Sequence, residues 1–165
     1  MKKKISILGS TGSVGLSSLS IIDKKKNFFK LDLLAADKNY NLICKQIHKY
    51  NPKYYVINNY KVFIKTKKRF KNNKTKILNN FSSLKKKLKS DISICAIPGI
   101  AGLEPTILIT KLSKKVLIAN KESIICGWNL INVQAKRYKT KIIPIDSEHY
   151  SIWKLINNHK LNDIK

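Results

Sequence analysis

Seven short apolar runs alternate with helical patterns along this chain, and that alternation constrains the fold more than any other feature. Lys4–Leu8, Leu31–Ala36, Tyr54–Ile57, Lys76–Leu78, Ile92–Ile97, Val116–Ala119 and Lys141–Ile145 are short, and most carry β-branched residues, which predicts buried strands. Between them, Val14–Lys24, Asn41–Tyr50, Tyr60–Lys71, Phe81–Leu88, Leu103–Leu112 and Trp128–Tyr138 carry helical patterns. In the second of these, Leu42, Ile43, Ile47 and Tyr50 share one side, and Pro52 stops the run. Strand–helix alternation of this kind builds right-handed βαβ units, so the expected fold class is α/β with a doubly wound parallel sheet. Neither an internal repeat nor a Pro/Gly/Ser-rich linker interrupts it, so one domain is expected up to about Ile145.

Charge is the loudest feature of the composition, at +25 over 165 residues. It raises a basic nucleic-acid-binding reading. Against it, 34 basic residues include only two arginines, Arg69 and Arg137. Dedicated nucleic-acid surfaces favour the bidentate guanidinium fork. Lysine, asparagine and isoleucine are together abundant, as A/T-rich codons would give, and a solvated lysine surface accounts for the charge. No acidic residue lies between Asp37 and Asp91, which marks that stretch as an outer face, densest in lysine over 65–76 and 85–89. No specific nucleic-acid partner is expected. No apolar run approaches the roughly 20 residues of a membrane span, so no membrane partner is expected either. The start reads as lacking a signal peptide, because Gly9-Ser10-Thr11-Gly12 breaks the apolar stretch early. Cys44, Cys95 and Cys126 have no metal-ligand spacing and read as reduced thiols of a cytoplasmic protein.

In a doubly wound sheet, ligands lie outside the carboxyl ends of the strands. Four clusters stand there. Gly9-Ser10-Thr11-Gly12-Ser13-Val14-Gly15 joins the first strand to the first helix, and backbone amides at a helix start bind phosphate where glycine lets the chain come close. Its spacing is G-x-x-G-x-x-G, and a tight turn without a ligand is the alternative. Asp37-Lys38-Asn39 follows the second strand, where dinucleotide folds read the adenine ribose. An acid there suits a 2′-hydroxyl and a lysine a 2′-phosphate; both are present, and the choice stays open. Ala119-Asn120-Lys121-Glu122-Ser123 follows the sixth strand, either as ligand contacts or as a bare helix start with a favourable acid in its first turn. Pro144-Ile145-Asp146-Ser147-Glu148-His149 ends the chain's last strand. Two carboxylates two residues apart on a strand point the same way, and hard oxygens suit Mg²⁺ or Mn²⁺. His149 is a candidate third ligand or a solvated residue. His48 and His159 show no partner at useful spacing, and Trp128 and Trp153 read as packing.

Taken together these loops resemble the 1-deoxy-D-xylulose 5-phosphate reductoisomerase family. The segments that carry the resemblance are residues 7–15, Gly99-Ile100-Ala101-Gly102-Leu103, Leu117-Ile118-Ala119-Asn120-Lys121-Glu122-Ser123 and residues 144–149. The resemblance implies a Rossmann-like NADP-binding domain over 1–145, then at 146–165 the truncated start of a metal- and substrate-binding catalytic region. It implies NADPH- and divalent-metal-dependent rearrangement and reduction of the sugar phosphate 1-deoxy-D-xylulose 5-phosphate to 2-C-methyl-D-erythritol 4-phosphate, in isoprenoid precursor biosynthesis. Thr11, Gly12, Ser13 and Val14 would hold the cofactor pyrophosphate and neighbouring groups, Lys38 and Asn39 the 2′-phosphate, and Asn120 and Glu122 further cofactor atoms. Lys121, also a candidate catalytic residue, and Ser147 would contact substrate. Asp146 and Glu148 would hold the metal, Mg²⁺ or Mn²⁺, and with Lys121 complete the catalytic set. A homodimer is one assembly open to the full-length protein. The chain departs from the family in placing Asp37 where a small residue precedes the basic one. It also stops soon after the metal motif, so the 165 residues alone are expected to show little turnover. A non-catalytic nucleotide-binding remnant is the other reading.

Overall fold

The computed structural model describes residues 1–84 and 88–158, and of 148, 149, 153, 157 and 158 the backbone only. Seven strands, β1 (Lys3–Leu8), β2 (Phe29–Ala36), β3 (Tyr54–Ile57), β4 (Lys76–Leu78), β5 (Ser90–Cys95), β6 (Ser113–Ile118) and β7 (Lys141–Pro144), form one sheet in the order β4-β3-β2-β1-β5-β6-β7. Every pairing is parallel. The helices are α1 (Ser13–Lys24), α2 (Tyr40–Tyr50), α3 (Tyr60–Arg69), α4 (Leu103–Thr110), α5 (Lys121–Tyr138) and α6 (Ser147–Asn158), with a 3₁₀ turn at Ile100–Gly102 before α4. The doubly wound parallel α/β fold expected from the alternation is the fold observed. His159, and the side chains of Trp153 and His149, lie outside the described residues.

Strand alternation divides the core into two layers. Leu34, Tyr55 and Ile57 face one layer with Leu19, Ile22, Ile43 and Ile47 of α1 and α2. Their chain neighbours Leu33, Tyr54 and Val56 face the other with Ile109 and Ile131 of α4 and α5. Side chains of a strand alternate between faces, and a sheet covered on both sides needs apolar residues on both. The first four strands step outward in one direction, and β5 then returns to pair with β1, matching Ile5 with Ile92 and Leu8 with Cys95. The sheet therefore has its topological switch point between β1 and β5. Two buried hydroxyl pairs, Ser6 with Ser90 at 2.5 Å and Ser93 with Ser113 at 2.7 Å, satisfy the polar side chains of these central strands. At the starts of the same strands Asp91 accepts from the Lys4 backbone N–H and pairs with Lys114, at 2.8 Å each. Lys114 and then that N–H hold its carboxyl below the usual carboxylate range.

Two of the expected helices differ from the sequence expectation, and α6 forms where none was expected. Helix α5 opens at Lys121, ahead of the expected Trp128. Gly127 within it is a packing residue: a Cβ there would lie 2.0 Å from Leu103 Cδ1, so glycine lets α5 close on α4. The helix expected over Phe81–Leu88 does not form in its described part. Asn80 Oδ1 instead accepts from the Ser83 N–H at 2.9 Å and from both serine hydroxyls, and 81–84 make a turn. Residues 85–87 lie outside the described residues.

Candidate functional site

The site starts from the glycine loop between β1 and α1. The N–H groups of Gly9 and Ser10 both donate to the Ala35 carbonyl of β2, at 2.9 and 2.8 Å. Gly9 sits at φ +86, and a Cβ there would meet Ala96 O at 2.4 Å. Below the loop Ser10 is fully buried. Its hydroxyl donates to Gln46 Oε1 at 2.7 Å, and its carbonyl accepts from Gln46 Nε2 at 2.9 Å. The Tyr55 hydroxyl also donates to Gln46 Oε1, at 2.6 Å. Both hydroxyl protons are then committed, leaving the 3.1 Å Ser10–Tyr55 contact without one. Burial pushes the Tyr55 hydroxyl well above its usual range. The loop's inward polar groups are thus held by the protein itself. Gln46→Leu leaves the Ser10 carbonyl and one hydroxyl proton without a partner in the core, while the two hydroxyls can still bond each other at 3.1 Å, and is expected to cost about 3 kcal/mol. Tyr55→Phe removes one bond, for about 1 kcal/mol. Urea unfolding of the two variants checks the ranking.

The outward side of the loop is different. Helices α2, α3 and α5 each open under an asparagine cap, where Asn39, Asn59 and Asn120 accept from the N–H of Leu42, Val62 and Ser123 at 3.1, 3.1 and 2.7 Å. Helix α1 opens at Gly12 without a side-chain cap. Its first N–H groups have no acceptor inside the helix, the arrangement that favours an anion. Gly12 itself has φ −83, and a Cβ there would meet only Gly9 O, at an ordinary 3.5 Å. Nothing within the chain demands glycine at this position, which lies on the wall of a cleft of about 770 Å³. Gly9, Thr11, Asp37, Lys38 and Asn39 line the same cleft, with Ala96 to Pro98 beyond β5. It opens at the β1/β5 switch point, where open α/β sheets bind ligands, and its volume is that of a small-molecule or cofactor pocket.

The structure brings the glycine loop and the Asp37-Lys38-Asn39 turn together and leaves the other expected residues farther along the same sheet edge. Ser13 and Val14 are exposed in the first turn of α1. Asn120, Lys121 and Glu122 follow β6, and Asp146 and Ser147 follow β7, all on the far side of β5 from β1. Asn120 is buried, and its amide is already engaged: Nδ2 donates to the carbonyls of Ile97 and Gly99, the latter at 2.7 Å. Lys121 is exposed at the first position of α5, beside Glu122. Strand β7 ends at Pro144 and α6 opens at Ser147, so strand alternation does not apply to 146 and 148. Asp146 O accepts from the Tyr150 N–H at 2.9 Å, and the side chain of Glu148 lies outside the described residues. Among the described residues no three His, Cys, Asp or Glu side chains come together as a metal site.

Several cleft residues were not singled out from the sequence, among them Glu104 at the start of α4. Asn58, Asn80 and Ser82 line the cleft beyond β3 and β4. The rule that ligands lie past strand ends reaches them too, once it is applied to these two short strands. Asn79 fastens the two loops by donating to the carbonyls of Ile57 and Asn58 at 2.9 and 3.2 Å. No described helix is long and apolar enough to cross a membrane. The three cysteines are free, Cys44 and Cys95 buried and Cys126 exposed, and burial pushes the Cys95 thiol up to about 12.

Comparison with known proteins gives a consistent match. The family model for 1-deoxy-D-xylulose 5-phosphate reductoisomerase matches residues 5–127. A protein of that name from Pelagibacter ubique is 50% identical over 167 residues, covering 99% of this chain and 43% of the relative. Its namesake from Clostridium novyi is 34% identical, covering 99% and 44%. Among solved structures, the Zymomonas mobilis enzyme in complex with NADPH superposes with a TM-score of 0.84 at 26% identity, over 93% of this chain and 41% of that one. A reductoisomerase structure in complex with NADPH, fosmidomycin and magnesium matches with a TM-score of 0.84 at 27% identity, over 92% and 38%. The chain thus spans less than half the length of these relatives.

Proposed function

This chain belongs to the 1-deoxy-D-xylulose 5-phosphate reductoisomerase family, and we propose that it supplies the NADPH-binding part of an enzyme that rearranges and reduces 1-deoxy-D-xylulose 5-phosphate to 2-C-methyl-D-erythritol 4-phosphate. The observation that carries the reading is the uncapped start of α1 beside Gly12, a glycine that the chain's own packing does not need. The cofactor fits there by chemistry. The free N–H groups at 13–15 suit the pyrophosphate, aided by Thr11, Gly12, Ser13 and Val14. Lys38 and Asn39, at the end of β2, face the adenine ribose and its 2′-phosphate. Asn120 and Glu122 border the cofactor from the β6 side, Asn120 chiefly by fixing the loop after β5.

Residues 1–145 form the NADP-binding domain in this reading, and 146–165 begin the metal- and substrate-binding region. Lys121 and Ser147 meet the sugar phosphate. Asp146 and Glu148 bring carboxylate oxygens of the kind Mg²⁺ or Mn²⁺ takes, and a metal held there acts as a Lewis acid on substrate oxygens. Lys121, exposed at the start of α5, can neutralise developing negative charge on the substrate. The free cysteines agree with a cytoplasmic setting.

Calorimetric titration with NADPH tests the reading. The parent chain is expected to bind saturably. Gly12→Ala is expected to weaken binding about tenfold, by holding the pyrophosphate off the backbone, while changing unfolding stability by about 1 kcal/mol or less. A parent chain that takes up no NADPH refutes it.

A further inference from the structure

Asp37 is the first residue beyond β2, exposed and on the wall of the cleft. It stands two residues from Ala35, whose carbonyl receives the N–H groups of Gly9 and Ser10. The carboxylate and the phosphate-binding loop therefore share one corner. In dinucleotide folds an acid about 20 residues past the glycine loop, at this strand end, accepts hydrogen bonds from the ribose hydroxyls, while a basic residue nearby receives a 2′-phosphate. Here the acid and the base are adjacent, as Asp37 and Lys38, and both line the cleft. Among the described residues the ion pairs are Lys49–Asp23 and Lys114–Asp91, so neither Asp37 nor Lys38 is neutralised by a partner. Asn39 is partly committed, with its Oδ1 capping α2.

The two charges act oppositely on the two forms of the cofactor. A 2′-phosphate brings up to two negative charges to this corner; it gains from Lys38 and is repelled by Asp37. A bare ribose offers two hydroxyl donors, and a carboxylate is an acceptor for both. We infer that Asp37 is a specificity-determining residue that lets this cleft take NADH as well as NADPH. The inference rests on the cofactor reading above and adds to it a prediction about which dinucleotides bind.

The same calorimetric experiment, run with NADPH and with NADH on the 165-residue chain, tests it. The net charge of +25 favours the more anionic NADPH without specificity. Titrations at low and at physiological salt, and comparison with variants, remove that contribution. In the parent, the two dissociation constants are expected to lie within about tenfold of each other. Asp37→Ala should weaken NADH and strengthen NADPH, widening the ratio about tenfold or more, the scale of one charged hydrogen bond. Lys38→Ala should narrow it by weakening NADPH. Asp37 is exposed, so an unchanged thermal midpoint is expected and certifies that the variant is folded. A parent that binds NADPH more than about a hundredfold tighter than NADH overturns the inference while leaving the cofactor reading intact, and so does an Asp37→Ala variant with an unchanged ratio. A parent that binds neither dinucleotide overturns both.

Discussion

Gly15→Ala is expected to lower stability by about 3 kcal/mol and to abolish NADPH binding. The added Cβ would stand 2.2 Å from Gly9 O, 2.7 Å from Ser10 Cα and 2.8 Å from Ser10 C. All three are backbone atoms, so no rotamer change relieves the overlap. Nor can the loop retreat. Gly9 is pressed against the Ala96 carbonyl on its other side, and Ser10 is tied to Gln46 from below. The strain is relieved by moving α1 away from the sheet, which shifts the helix start relative to the cleft wall at Thr11 and Gly12. Gly12→Ala, three residues earlier, has room for its Cβ and should stay folded. Denaturant unfolding and NADPH titration of the pair separate the two roles of glycine in one loop. A Gly15→Ala protein as stable as the parent would mean that α1 is not seated where the structure puts it.

Asn120→Ala carries the second large effect, again about 3 kcal/mol. One part is the lost cap of α5, for which about 1 kcal/mol is usual. The rest comes from the carbonyls of Ile97 and Gly99, both of which Nδ2 serves. Without a donor, each partly buried carbonyl costs about 1 kcal/mol or more. Asn120→Asp separates the contributions. It retains an acceptor for the Ser123 N–H but turns a carboxylate oxygen toward two carbonyl oxygens, so it should be no more stable than the alanine variant. If aspartate rescues stability in a thermal or urea melt, the cap dominates and the link to the loop after β5 is unimportant. If it does not, the amide is what joins the cofactor side of the sheet to the β6 side.

The sheet was legible in the sequence because strand periodicity and strand length are local properties. Tyr54–Ile57 is apolar throughout, short, and rich in aromatic and β-branched residues, which suits a strand buried on both faces. The loops after β1, β2, β6 and β7 could be found for the same reason, since each follows directly on an apolar run. What could not be read was anything set by residues distant in sequence. The contact of Gly127 with Leu103, 24 residues away, is one case. The sequence points to Asn120 as a ligand contact but not to the carbonyls of Ile97 and Gly99 that its amide holds. Gln46 gave no signal, being one polar residue on a helix, yet it organises the buried polar layer under the glycine loop. Strand periodicity misled at Asp146 and Glu148, because the chain turns into α6 at Ser147.

The switch point also governs the order in which the molecule comes together. Strands β1 to β4 pair with near neighbours in sequence, and so do β5 to β7, whereas β1 must find β5 across the span from Ile5 to Ile92. Closing so long a loop is the slow kind of contact. The cleft has one wall on each side of that seam, Gly9 and Asp37 on one and Ala96 to Pro98 on the other. It does not exist until the two halves have joined. A dinucleotide bound there stabilises only the completed chain, so the appearance of binding during refolding marks the last step of assembly, after the secondary structure of either half has formed.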